Sequence, residues 1–323
     1  MRVKVLGSAA GGGFPQWNCA CSNCSRLRDG QFAGVARTQL QLAWEGQPNH
    51  WTLLNASPDL RSQIEATPEL WPQGANRHSP LSDVVLTGAE VDQALGLLLL
   101  REFHSFRVHA TASIRRVLTE DNSLFGVLRR FPGQTCWQDI PLRSPFAVGG
   151  ARLEVLPLAG SLPGFVSAAR RSECDPDEAA IGLWITPAVA AVSPPPSVVS
   201  PPPGAASSPS RKTLAYLPGV GSISDSLLER LQDADVLLFD GTFWKDDEPS
   251  RIPGLGRTAL EMGHLPISGP GGSIERLAGL ARPRKIYIHI NNTNPILDEE
   301  SAEHQGVRDA GWEIARDGME INL

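Results

Sequence analysis

Asp83-Val-Val-Leu-Thr87 runs directly into Gly88-Ala-Glu90-Val-Asp92-Gln93, so a continuous aliphatic, β-branched segment ends in a polar loop. Such a run between polar neighbours predicts a buried strand. The loop at its C-terminal end is where α/β sheets gather chemistry. Leu95-Gly-Leu-Leu-Leu-Leu-Arg101 follows and predicts a helical segment. Working outward, Val3–Leu6, Trp51–Ala56, Gly182–Thr186, Thr213–Leu217, Ala234–Phe239 and Lys285–Ile290 predict further strands. Strands alternating with helices and loops indicate an α/β architecture.

The 323 residues contain 41% hydrophobic side chains, enough for a sizeable core, and suit one large α/β domain or two small ones. Twenty-nine basic against 35 acidic residues give a formal charge of −6. That balance argues against nucleic acid or an anionic membrane as partner. No apolar run is long enough for a membrane span, and the charged start Met1-Arg-Val-Lys lacks the pattern of a leader. A cytoplasmic location is therefore expected, where thiols stay reduced. Residues 188–210 hold seven prolines and no charged or aromatic side chain. They read as a disordered, flexible Pro/Ser-rich insertion between two strands, with a domain linker as the alternative.

Three of the five cysteines form Cys19-Ala-Cys21-Ser-Asn-Cys24, after the loop of Gly11, Gly12 and Gly13. Thiols at spacings of two and three can converge on one tetrahedral cation, and soft, compact sulfur sites suit zinc. Incidental thiols in a turn are the bland alternative, but three reduced thiols together invite oxidation. The best fourth ligand among the seven histidines is His264, in the Gly- and Pro-bounded turn Gly263-His-Leu-Pro266. His50, His78, His104, His109 and His304 read as ordinary surface or satisfied histidines. A second, more diffuse set is Asp92 after its strand, Asp240 at the end of Val236-Leu-Leu-Phe239, and His289 beside Asn291-Asn-Thr-Asn-Pro295. Two carboxylates and an imidazole could hold a metal with open positions. A capping role for Asp240 and a core role for His289 are the alternatives. The glycines match neither a P-loop nor a dinucleotide fingerprint, and no nucleophile elbow occurs.

The chain resembles the PqqB family of pyrroloquinoline quinone (PQQ) biosynthesis over nearly its whole length. The resemblance is carried by Ala9–Cys24, Asn55–Arg61, Leu86-Thr87 with Gly96–Glu102, Phe239–Trp244, Met262–Ser268 and Tyr287–Leu297. It implies one metallo-β-lactamase-like domain over residues 1–323, an αββα sandwich. It also implies a structural zinc held by Cys19, Cys21, Cys24 and His264. Hydrolytic members of that superfamily carry His-x-His-x-Asp-His where this chain has Gly88-Ala-Glu90-Val-Asp92-Gln93. Only the aspartate is kept, and Gln93 replaces the last histidine usual in the family itself. A histidine expected near residues 158–163 and an aspartate expected at Pro218-Gly219 are missing as well. A dinuclear hydrolase centre is therefore not expected, and phosphoesterase or lactamase activity ranks last.

What the resemblance implies is a step of PQQ biosynthesis, the iron-dependent oxygenation of the tyrosine-derived part of a Glu–Tyr precursor. Asp92, His289 and Asp240 would hold Fe2+ at this degenerate second site. The alternative is a non-catalytic carrier that passes PQQ or its precursor towards the periplasm. PQQ or its peptide-derived precursor, other proteins of the pathway and a second copy in a homodimer are the implied partners. Cys21→Ser is expected to lower zinc content and melting temperature together, because metal binding at such a site is also folding free energy. Full zinc content with an unchanged melting temperature would remove the structural assignment.

Overall fold

The computed structural model describes residues 1–74, 76–158, 160, 162–188, 211–252 and 254–323. Apart from Ala188, the expected insertion lies outside them. Fourteen strands form among these residues: β1 (Arg2–Gly7), β2 (Gln41–Gln47), β3 (His50–Leu54), β4 (Leu81–Val85), β5 (Phe106–Ala110), β6 (Thr135–Asp139), β7 (Phe146–Val148), β8 (Ala151–Pro157), β9 (Ile181–Pro187), β10 (Leu214–Leu217), β11 (Val236–Asp240), β12 (Arg284–Ile288), β13 (Trp312–Ile314) and β14 (Glu320–Asn322). They make two seven-stranded sheets, ordered β14-β1-β2-β3-β4-β5-β6 and β13-β12-β11-β10-β9-β8-β7. Each sheet is antiparallel through its early strands and parallel through its later ones.

Alternation along the strands decides the layers. Val3, Val5, Leu42, Trp44 and Leu54 of the first sheet meet Leu153, Leu183, Ile185, Tyr216, Leu238 and Ile286 of the second in a shared inner core. The opposite faces are covered by helices. Leu53, Val84 and Val108 pack with Ile114 and Val117 of the helix Ala112–Thr119. Ala215, Leu237 and Tyr287 pack with Leu231 and Val307 of the helices Asp225–Leu231 and Ala302–Asp309. The expected αββα metallo-β-lactamase sandwich is what the chain adopts. The strands flanking the expected insertion are indeed sheet neighbours, with Leu214 opposite Ile185 and Ala215 opposite Trp184. Leu95–Leu100 winds as a 3-10 segment rather than an α-helix. There the backbone passes so close to Ala56 and Ser57 that a Cβ on Gly96 would lie 2.3 Å from the Ser57 carbonyl oxygen.

Away from the strand ends that carry the polar loops, Asp83 of β4 is buried and bonds four ways, the Ser82 hydroxyl donating to it at 2.8 Å. Arg107 Nε and Nη2 of β5 each donate to it at 2.6 Å, and His109 Nε2 lies 2.8 Å away. Burial works against the charged carboxylate, but the bonds from His109 and Arg107 outweigh it and hold Asp83 well below the usual carboxylate range. Its folded pKa is lower than its unfolded value of about 3.9. The stabilisation is therefore complete above that value and is lost as pH falls towards the folded one. Asp83→Asn is expected to cost about 2–3 kcal/mol at pH 7, the range for bonds to a buried charge. Denaturant titrations at pH 7 and pH 3 should show the gap to wild type shrinking at the lower pH; an equal gap would mean the charge is not the cause.

Candidate functional site

The parallel pairing of β11 and β12 sets Asp240 opposite Ile288, so the residue after each strand lies beside its neighbour. His289 follows β12 with φ of +56°, a left-handed turn that swings its ring out of the sheet. His264 arrives from the loop after Leu260–Met262, where Gly263 takes φ +84°. Asp92 comes from the first sheet, on the short helix Val91–Ala94 after β4. The site is thus built where the C-terminal ends of both sheets meet. Asn55, itself at φ +68°, ties that seam. Its side chain donates to Tyr216 Oη at 3.3 Å across the sheets and accepts from the Thr87 N–H at 2.9 Å.

Asp240 has no exposure to water and spends both oxygens. One accepts from the Val220 N–H at 2.9 Å and lies 2.8 Å from His264 Nδ1. The other accepts from the Thr242 N–H at 3.0 Å and the Thr242 hydroxyl at 2.6 Å. Burial opposes this charge, but the facing His264, then His289 and Thr242, lower the Asp240 pKa overall. Burial would likewise lower the pKa of His264, and the Asp240 carboxylate reverses it, giving a net rise. The Thr242 hydroxyl has one proton, donated to Asp240, so at 2.8 Å from His289 Nδ1 it accepts from that nitrogen. His264 Nδ1 likewise donates to Asp240. Both imidazoles are thereby fixed with Nε2 as the free nitrogen, the arrangement that metal-ligating histidines use. The two rings stack at 5.4 Å, and His289 Nε2 lies 3.4 Å from Asp92 Oδ2.

Asp92, Asp240 and His289 therefore come together as the sequence suggests, but His264 joins them. It does not complete the cysteine shell: its Nδ1 side is held by Asp240, and the residues within mutual ligand reach are Asp240, His264 and His289. The Gly- and Pro-bounded turn foretold a fixed histidine without indicating which cluster it would face. Gln93 stands beside Asp92 on the same short helix, against Gly88. Its amide oxygen lies against Gly88, so that a Cβ there would sit 2.0 Å from it, and that oxygen is buried without a hydrogen-bond partner.

Cys19, Cys21 and Cys24 bring their sulfurs together as expected. The residue over them is Asn292, which the sequence reading passed by. Its Nδ2 lies 3.1 Å from Cys19 Sγ, 3.4 Å from Cys24 Sγ and 3.7 Å from Cys21 Sγ. Amide nitrogen and oxygen are assigned from bonding, so the same side chain could turn its oxygen to a cation as fourth ligand. Burial raises the Cys21 thiol to about 11. For Cys19 burial is outweighed by bonds from the Cys21 N–H, the neighbouring thiols and Asn292, and the net shift is downward. Nor is the cluster sealed. Cys19 and Cys21 line a cavity of about 930 Å³ with Trp244, Glu248 and Thr293, and burial raises the Glu248 carboxyl despite bonds from Thr293 and Trp244.

These features define a β-lactamase-superfamily protein, and the model of the β-lactamase superfamily domain matches residues 50–290. A coenzyme PQQ synthesis protein B of Nitrosococcus oceani is 42% identical over the full length of both chains. The solved structure of zinc-bound PqqB from Methylobacterium extorquens is 37% identical with a TM-score of 0.87, again covering all of both chains. A diphosphatase of the PhnP family shares the fold alone, at 18% identity and a TM-score of 0.62, covering all of this chain and 97% of its own. The chain belongs to the coenzyme PQQ synthesis protein B family. No helix among the described residues is long and apolar enough to cross a membrane.

Restoring an imidazole by Gln93→His is expected to raise metal occupancy at the Asp92–His289 site, since an amide oxygen binds iron or zinc far more weakly. The gain should fall as pH drops through the imidazole range near about 6.5. Adding Asp92→Asn should cancel it. Equal occupancy in wild type and Gln93→His, titrated after chelation, would show that residue 93 does not face the site.

Proposed function

We propose that this chain acts in PQQ biosynthesis as an iron-dependent oxygenase of the tyrosine-derived part of the cross-linked Glu–Tyr precursor. The observation that carries the reading is the 3.4 Å approach of His289 Nε2 to Asp92 Oδ2. With Nδ1 of His289 donating to Thr242, two acceptors face each other across the seam, and a proton or a cation must lie between them. Two imidazoles with free Nε2 and a carboxylate fit a hard-to-borderline divalent metal with open positions. Bound there by Asp92, His264 and His289, ferrous iron would supply the one-electron chemistry that dioxygen requires.

The chain's own residues do the rest. Asp240 and Thr242 hold the two rings in one tautomer and orientation, and Asp92 supplies charge from the opposite sheet. A structural zinc fits Cys19, Cys21 and Cys24, the soft donor set of the chain. The zinc-bound relative from Methylobacterium extorquens supports that choice of metal. One feature favours the carrier reading instead: residue 93 is a glutamine whose amide oxygen is buried and unbonded, which leaves the iron site one strong ligand short.

Anaerobic reconstitution with ferrous iron, followed by dioxygen, ascorbate and the cross-linked Glu–Tyr compound, separates the two. One iron per chain beyond zinc, with mass gains of one oxygen atom that vanish in Asp92→Asn and His289→Ala, is the expected result. Zinc alone, no mass gain and saturable binding of PQQ or the precursor would replace the oxygenase by the carrier.

A further inference from the structure

A second cavity, of about 280 Å³, has neither the clustered thiols nor His264 and His289 in its lining. It is bounded by Arg37, Arg308 and Arg316, with His304, Glu299 and Glu313. At ~30 Å³ per water this is room for about nine waters, the size of a small metabolite.

The charges around it do not balance among themselves. Glu313 already takes both donors of Arg284, at 2.6 and 2.8 Å. Asp317, the carboxylate nearest in charge to Arg37, instead accepts from Ser8 and Thr38 at 2.7–2.8 Å. Glu299 is exposed at the rim. None of the three arginines has an ion-pair partner among the described residues, so three guanidinium groups stand against two carboxylates not paired elsewhere, Glu299 and Asp317, whose charge the Ser8 and Thr38 bonds do not cancel.

Arg37 is the decisive member. It is only 6% exposed, and its Nη1 is committed to the Ser8 hydroxyl and the Ala315 carbonyl. Its Nε is buried with no partner, and Nη2 has no protein acceptor among the described residues. A buried guanidinium with unmade bonds is costly, more so beside two like charges. An oxyanion in the cavity lowers that cost by bonding Nη2, the guanidinium nitrogen left without an acceptor and not enclosed as Nε is.

We propose that this cavity binds a small doubly charged oxyanion, a phosphate or a dicarboxylate, through Arg37, Arg308 and Arg316. The site shares no lining residue with the iron and zinc clusters and does not depend on the reading given to them.

The test is calorimetric titration of the zinc-loaded full chain with inorganic phosphate and, separately, with succinate, at ionic strength fixed with sodium chloride. Saturable one-to-one binding of at least one probe is expected. The double variant Arg308→Gln/Arg316→Gln should weaken it at least tenfold, and Arg282→Gln, an arginine outside the cavity, should not change it. The preferred probe tells phosphate from carboxylate. Arg37 is left intact because its loss could disturb folding. No saturable binding of either probe, or equal affinity in the double variant of unchanged melting temperature, would overturn the proposal.

Discussion

A carboxylate without contact to water, Asp240, is the constraint around which the functional end of this molecule is arranged. A buried charge persists only if its lone pairs are filled. Four donors fill them, from three turns of chain: the Val220 amide after β10, the Thr242 amide and hydroxyl after β11, and the His264 ring from the following loop. Thr242 passes the constraint to His289. The outcome is two imidazoles whose outward nitrogens are alike in state and parallel in orientation. Asp240 is thus a positioning residue, and the groups open to a ligand are those it orients.

The sandwich supplies what this arrangement needs. Parallel pairing of β10, β11 and β12 puts the three loops side by side at one edge. The inner core of Leu54, Tyr216, Leu238 and Ile286 brings the first sheet against the second, so that Asp92 can face His289 although 197 positions separate them. Asn55 closes the same seam with a polar bond donated to Tyr216.

Much of this was legible beforehand, for physical reasons. Aliphatic runs such as Val236–Phe239 and Lys285–Ile290 can be little else than buried strands, and polar residues at their ends fall at a sheet edge by geometry. The thiols at 19, 21 and 24 are near in sequence and had to be near in space. His264 was misplaced because a rigid turn fixes a backbone and does not reveal its neighbours, which here depend on Asp240 across 24 residues. Asn292 escaped notice because a neutral amide carries no signature until three sulfurs are seen around it. Thr242 stayed hidden for the same cause: a lone hydroxyl gains meaning only from what it bridges. Gln93 departs from the histidine usual in the family, and its side chain takes the space beside Gly88.

The contact between Asp92 and His289 joins segments that belong to different sheets, so whatever fills it acts as a rivet between the two halves. Occupancy then adds directly to the work needed to part the sheets, by RT ln(1 + [ligand]/Kd). A cell's supply of that occupant would set more than how many molecules are competent. It would set how long each one survives proteases, because the halves of an unriveted copy open more often.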